Sequence, residues 1–174
     1  MEERLTLERT LVLSSETWGA LQVTVNELKD RMNITFNDHD FKLEAVLKSV
    51  ISAVESVTET TLITERDVNV AWQSFYDDEY LPYCPVKAGT TVTVQDLDGV
   101  EIDTDLYSLV DVGGFIRLIG DFPNGVKLSY TTQKVIINES QRLAILNIAA
   151  LTFENPEYNI RKGVLSNIGI FRFK

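Results

Sequence analysis

Residues 39–72, "HDFKLEAVLKSVISAVESVTETTLITERDVNVAW", change their apolar period partway along, and that change sets the fold class. In the first part Leu43, Val46, Val50, Ala53 and Val57 recur at helical spacing. Leu47, Ile51 and Val54 widen the stripe into a broad face that has to be buried. From about Leu62 the period falls to two, and "ITERDVNVAW" alternates as a half-buried strand does. A long helix over about 39–60 that hands over to a strand predicts a mixed α+β chain.

Upstream, "TVNELKDRM" places Glu27 three residues after Thr24, the spacing of a capping box at a helix start. Asp38 stands where the long helix needs a cap, and an alternating segment runs from about Leu5 to Leu13. Downstream, Val86, Ala88, Thr90, Val92 and Val94 alternate with Lys87, Thr91, Thr93 and Gln95, which predicts a strand. Asp98-Gly99 then predicts a two-residue type I′ hairpin turn, with positive φ at both positions. "DLYSLV", "FIRLI" and "VKLSYTT" supply further short strands, punctuated by Gly113-Gly114 and Pro123-Asn124-Gly125.

"NESQRLAILNIAALTFENP" predicts a second helix over about 139–154, capped by Asn138 and stopped by Pro156. Leu143, Ile145, Leu146, Ile148, Ala149, Leu151 and Phe153 make it apolar around most of its circumference. Such a helix must be covered on nearly every side, by its own chain or by a neighbouring subunit. The organisation that follows is one domain over 1–174. A small helical bundle (24–61 with 138–156) carries an inserted antiparallel β module at 62–134. An extended C-terminal arm at 157–174 completes it.

Composition narrows the function. The chain has 174 residues, 44% of them hydrophobic, enough for a core, and lacks any run of roughly 20 apolar residues that would cross a bilayer. "MEERLTLERTLVL" has neither the basic nor the apolar region of a secretion signal, so a cytosolic origin is expected. On that reading the triplets at Asn33 and Asn138 are coincidental. Cys84, the single cysteine, admits no internal disulfide.

The net charge is -10, and between Tyr76 and Asp111 nine acidic residues face one basic residue, Lys87. From Glu157 onward Arg161, Lys162, Arg172 and Lys174 reverse the balance. Nucleic-acid binding through phosphates needs a basic face, so this split favours an oriented protein–protein contact.

Candidate chemistry is sparse. His39 has no second ligand cluster to make a metal site and reads as a surface residue at a helix start. Cys84 lacks a basic partner nearby and reads as a half-buried structural thiol. "DLDGVEIDTD" lacks the ligand order of a calcium loop, and its aspartates alternate on a hairpin. Phosphate-binding glycine loops, the G-x-S-x-G elbow and H-E-x-x-H are missing, and no two carboxylates stand out as a hydrolytic pair. The expectation is a protein that is not an enzyme and holds no metal or cofactor. Trp72, Phe75, Tyr76, Tyr80 and Tyr83 read first as core and sheet packing, second as interface anchors.

The order of these segments resembles that of the tailed-phage head–tail connector (adaptor, or head-completion) family, from about Thr24 to Glu157. The resemblance lies in the short helix "VNELKDRMNI", the acidic break, and the long helix "LEAVLKSVISAVESVTETTLI". It continues through Trp72, "LPYCPVKAGTTVTVQDLDG", "LYSLV", "VKLSYTT" and "RLAILNIAALTFENPE". Phe153, Glu154 and Asn155 depart from the tyrosine and arginine–glutamate pair usual in the family at the end of that helix.

The resemblance implies a structural virion protein made in the host cytoplasm. It would form a ring of about twelve copies beneath the portal, extend the DNA channel, and serve as a platform for the next neck or tail component. DNA would pass without specific binding. It further implies a portal-docking arm made of Tyr158, Ile160, Arg161, Lys162, Val164, Leu165, Ile168, Ile170, Phe171, Arg172 and Phe173. Removal of 158–174 is then expected to abolish docking and spare the fold. Asp77, Asp78, Glu79, Asp96, Asp98, Glu101 and Asp103 form an acidic surface that either lines the channel or meets a basic partner. The competing reading is a monomeric β-rich module that binds a carbohydrate or other ligand on Trp72 and the tyrosines. A carboxylate-dependent hydrolase is a distant third.

Overall fold

A computed structural model describes residues 9–14, 21–76 and 78–171, and the chain divides into two compact units. The first is built from 65–133 together with the N-terminal strand; the second from 18–64 and 134–174.

In the first unit, strand β1 (Arg9–Leu13) lies at one edge of a four-stranded antiparallel sheet. Its neighbours in order are β2 (Asp67–Trp72), β7 (Val126–Thr131) and β4 (Thr93–Gln95). A second sheet holds β3 (Asp78–Tyr80), β6 (Phe115–Gly120) and β5 (Tyr107–Val112) in that order. Period two decides which residues face in: Val68, Val70 and Trp72 on β2 are buried, as are Val126, Leu128 and Tyr130 on β7. Leu118 of β6 joins the same apolar cluster, so the two sheets share one core.

The expected strand over 86–95 is shorter than its alternation implies. Only Thr93–Gln95 pairs as strand, because Lys87 to Thr90 form a turn in which Gly89 takes φ +79°. Val86, Val92 and Val94 are still buried, whereas Ala88 is exposed. The Asp98-Gly99 turn also differs in type. The Gly99 N–H donates to the Asp96 carbonyl (3.1 Å), and Gly99, not Asp98, has positive φ. The loop is therefore a type I turn ending in a left-handed glycine. The type I′ geometry occurs at Gly113-Gly114, both at positive φ, joining β5 to β6. At Gly114 an added Cβ would lie 2.8 Å from the Pro85 Cβ, so space as well as φ requires glycine there.

In the second unit, α1 (Val25–Met32), α2 (Asp40–Thr58), α3 (Glu139–Glu154) and α4 (Ile160–Ser166) surround a separate core. Leu43, Leu47, Val50, Ile51 and Val54 of α2 pack with Ala144, Ile145, Ile148 and Ala149 of α3, the pairing of long helices the sequence predicts. The expected capping box of Thr24 with Glu27 is present, and the expected cap Asn138 also forms a box, with Gln141. Asp38 does not cap α2. The cap position falls one residue later, on His39, which makes no side-chain cap bond and whose ring stands near Phe36 (5.6 Å) and Phe153 (5.9 Å). Asp40 pairs with Lys29 at 2.9 Å.

Glu27 does two jobs. Its carboxylate accepts from the Thr24 hydroxyl and backbone N–H (both 2.7 Å) and pairs with Arg142 of α3 at 2.5 Å. Burial alone would push the carboxyl up; the Thr24 hydrogen bonds and the Arg142 guanidinium outweigh it and hold it below its ordinary 4.5. A lowered folded value means stability that is present above the unfolded value and is lost as pH falls through the folded one. Glu27→Gln is therefore expected to flatten the acid limb of stability. The check is the urea midpoint followed from pH 7 to pH 3: it falls less in the variant than in the parent.

Between Tyr158 and Phe171 the chain is a short helix and a following turn folded onto its own unit, not an extended arm. Asn159 caps α4 by accepting from the Lys162 N–H at 2.9 Å. Val164 and Phe171 are buried to 0% and 1% exposure in the helical core.

Candidate docking surfaces

The helical unit presents two kinds of residue in its C-terminal segment. Val164 and Phe171 point inward, and Tyr158 and Ile160 are half-buried against the same core. Tyr158 lies over Gly163, where an added Cβ would meet its ring, which accounts for glycine in so short a helix. Arg161, Lys162, Leu165, Ile168 and Ile170 are exposed. Arg161 and Lys162 stand four and three residues before Leu165, so the three share one face of α4. The following turn is held down by the Gln141 amide, which donates to the Ile170 carbonyl at 3.2 Å. Arg172 and Phe173 lie outside the described residues.

Helix α3 is covered on most sides by its own unit, as its composition requires. Leu143 and Leu151 remain exposed, eight residues apart and thus on one face.

The acidic residues named from the sequence fall into separate places. Asp78 lies on β3, in an ion pair with Arg117 of β6, whose guanidinium also sits 5.6 Å over the Tyr80 ring. Glu79, beside it, is half-buried. Asp96, Asp98, Glu101 and Asp103 belong instead to the hairpin that leaves β4, and Asp77 lies outside the described residues. Two of the four are occupied with local structure. The Asp96 carboxylate accepts from the Val100 N–H (2.8 Å), and that of Asp103 from the Asp105 N–H (3.1 Å). Asp98, Glu101 and Asp105 form no ion pair among the described residues and face solvent. Beside them Val100 and Leu106 are exposed, an apolar component that charge counting misses.

The aromatic residues separate as well. Trp72 and Phe75 are each 1% exposed and meet edge to face at 5.4 Å, inside the core. They offer no face on which a sugar ring could stack. Tyr76 and Tyr80 are exposed. Cys84 is buried, its thiol donating to the Leu81 carbonyl at 3.2 Å. Among the described residues no group of three or more His, Cys, Asp or Glu side chains could hold a metal ion, and no helix is long and apolar enough to cross a membrane.

No protein-family model and no curated protein matches this chain. Solved structures do. A chain in the neck of an empty gene transfer agent particle, computed with C6 symmetry, superposes with TM-score 0.60 at 22% identity. It covers 94% of this chain and 96% of its own length. A chain in the virion of the native gene transfer agent particle gives TM-score 0.61 at 21% identity, covering 94% and 95%. One in the neck of the native particle, computed with C12 symmetry, gives 0.56 at 23%, covering 94% and 96%. What is shared at this identity is the fold, along nearly the whole of both chains.

Proposed function

We propose that this chain is a structural neck subunit of a tailed-phage-like virion, a head–tail connector that works without catalysis. The observation that carries the reading is the fold held in common, end to end, with chains of gene transfer agent particles, two of them in necks. The C6 and C12 symmetries of those necks support a ring of about twelve copies. In this reading the ring sits beneath the portal at the capsid vertex, continues the DNA channel, and gives the next neck or tail protein its platform. Residues 65–133 contain twelve acids against four bases, so passing phosphates are repelled and DNA moves through without specific attachment.

Portal docking uses the exposed end of the C-terminal segment, Ile168 and Ile170, with the basic residues beyond Phe171. Imaging by negative stain and mass photometry, on the purified chain alone and mixed with the portal of the same particle, tests this. Rings seated on the portal are expected; a monomer that ignores the portal overturns the reading. Ile168 and Ile170 are 38% and 40% exposed, so Ile168→Asp with Ile170→Asp is expected to abolish seating at a modest cost in the unfolding midpoint, with circular dichroism to check that the variant is folded.

A further inference from the structure

Two surfaces of this chain have matching chemistry and no partner within the described residues. One is the outer face of α4, where Arg161 and Lys162 flank Leu165, which is 51% exposed. Neither cation forms an ion pair among the described residues. The other is the hairpin after β4 and its continuation through the 3₁₀ turn Thr104–Leu106. There Val100 (63% exposed) stands between Asp98 and Glu101 along the chain, and Leu106 (66% exposed) follows Asp105, all of them exposed. Each surface thus offers exposed apolar side chains next to unpaired charges in the chain, and the two sets of charges are opposite in sign.

Free apolar side chains of this size gain roughly 1.5–3 kcal/mol each on full burial, which makes both patches interface candidates; the charges select what each can meet. The asymmetry extends to the units that carry them. Residues 65–133 are strongly acidic, whereas 18–64 and 134–174 together hold ten acids and ten bases.

We infer that the basic face of α4 docks onto the acidic hairpin of a second copy of this chain, and that this contact propagates the ring. The inference rests on the ring assembly proposed above and specifies its interface. A contact between two different faces is heterologous: each copy uses its α4 toward one neighbour and its hairpin toward the other. Such contacts continue until the circle closes, whereas a self-complementary patch would stop at a dimer. The occupant of each face is set by charge complementarity. Like faces repel, so α4 against α4 and hairpin against hairpin are both disfavoured, and the head-to-tail arrangement remains.

Cysteine trapping tests the contact in the full chain, because the native Cys84 is buried and stays silent. The double variant Val100→Cys with Leu165→Cys is expected, on mild oxidation, to give a ladder of covalent oligomers. Either single variant should give dimers at most. On the double-cysteine background, Arg161→Glu with Lys162→Glu is expected to reduce the cross-linked fraction about tenfold or more. Adding Asp98→Lys with Glu101→Lys reverses the second face and is expected to restore the ladder, which a merely structural role of these residues would not do. All four substituted charges are exposed, and circular dichroism checks that each variant is folded.

A ladder that survives the first reversal, or is not restored by the second, overturns the inference. Rings seen by mass photometry with no ladder also overturn it and leave the connector reading standing. Neither rings nor ladder, with portal present or absent, removes both.

Discussion

Deleting residues 158–174 is expected to collapse the helical unit, and not merely to release a docking arm. Val164 and Phe171 are fully buried among Leu43, Leu47 and Ile145, and they leave the core together in that truncation. Burial of two such side chains stabilises by roughly 3–6 kcal/mol in total, before any cavity cost is added. Whole domains are stable by only about 5–15 kcal/mol, so the truncated unit is left marginal or unfolded. Urea titration followed by circular dichroism reads the effect directly. The truncated chain loses most of its helical signal or unfolds at far lower denaturant than the parent. Phe171→Ala alone is expected to cost about 3–5 kcal/mol. A truncation that unfolds at the parent's midpoint would show that the core is complete without α4. Docking is therefore probed with the partly exposed pair Ile168 and Ile170, whose replacement leaves Val164 and Phe171 in the core and whose folding is checked separately.

That segment also shows where a single sequence stops being readable. Ile160 falls four residues before Val164, one helical turn, while Phe171 lies beyond the helix in the turn that follows it. The face was there to be seen. Gly163 within the helix and Asn167 at its end obscure it, because both residue types weaken a helix interior. What stabilises α4 is chiefly tertiary packing, which local propensity does not show, together with an Asn159 cap of the kind read at Asn138.

The long helix posed no such difficulty. Nineteen residues with an unbroken stripe leave one structural solution, and α2 follows it. The same holds for β2, whose alternation puts Val68, Val70 and Trp72 on one face. Period two alone therefore implies that Trp72 belongs to the core and not to a ligand face. The hairpins were legible as turns but not as turn types, since Asp98-Gly99 and Gly113-Gly114 both satisfy the sequence rule for positive φ. Which pair adopts it depends on how the flanking strands pair: β5 and β6 pair right up to their two glycines. The acidic surface was legible as charge and illegible as shape. Composition could not say that Asp96 and Asp103 are turn caps while Asp98, Glu101 and Asp105 are free to meet a partner.

Glu55 was missed altogether, and its replacement is expected to have the second largest effect. It lies at the end of α2, next to Val54 in an otherwise apolar stretch, where a carboxylate reads as a solvent-facing charge. It is instead 2% exposed. Its Oε1 accepts from the backbone N–H groups of both Leu62 and Ile63, the second at 3.0 Å. These bonds fix the reversal by which the chain leaves α2, with Thr60 N–H on the Glu55 carbonyl closing the helix end.

Glu55→Ala removes the acceptor and leaves two buried donors unpaired. Each unmet donor costs about 1–3 kcal/mol, so the loss should reach roughly 2–5 kcal/mol. Glu55→Gln keeps a side-chain oxygen at the position that receives both N–H groups, and is expected to recover a large part of that loss. Urea midpoints for the parent and the two variants provide the measurement, with amide exchange at Leu62 and Ile63 as the local readout. Equal destabilisation by alanine and glutamine would mean that the negative charge matters, rather than the acceptor geometry. Near-parent stability in Glu55→Ala would mean that the turn after α2 holds without it.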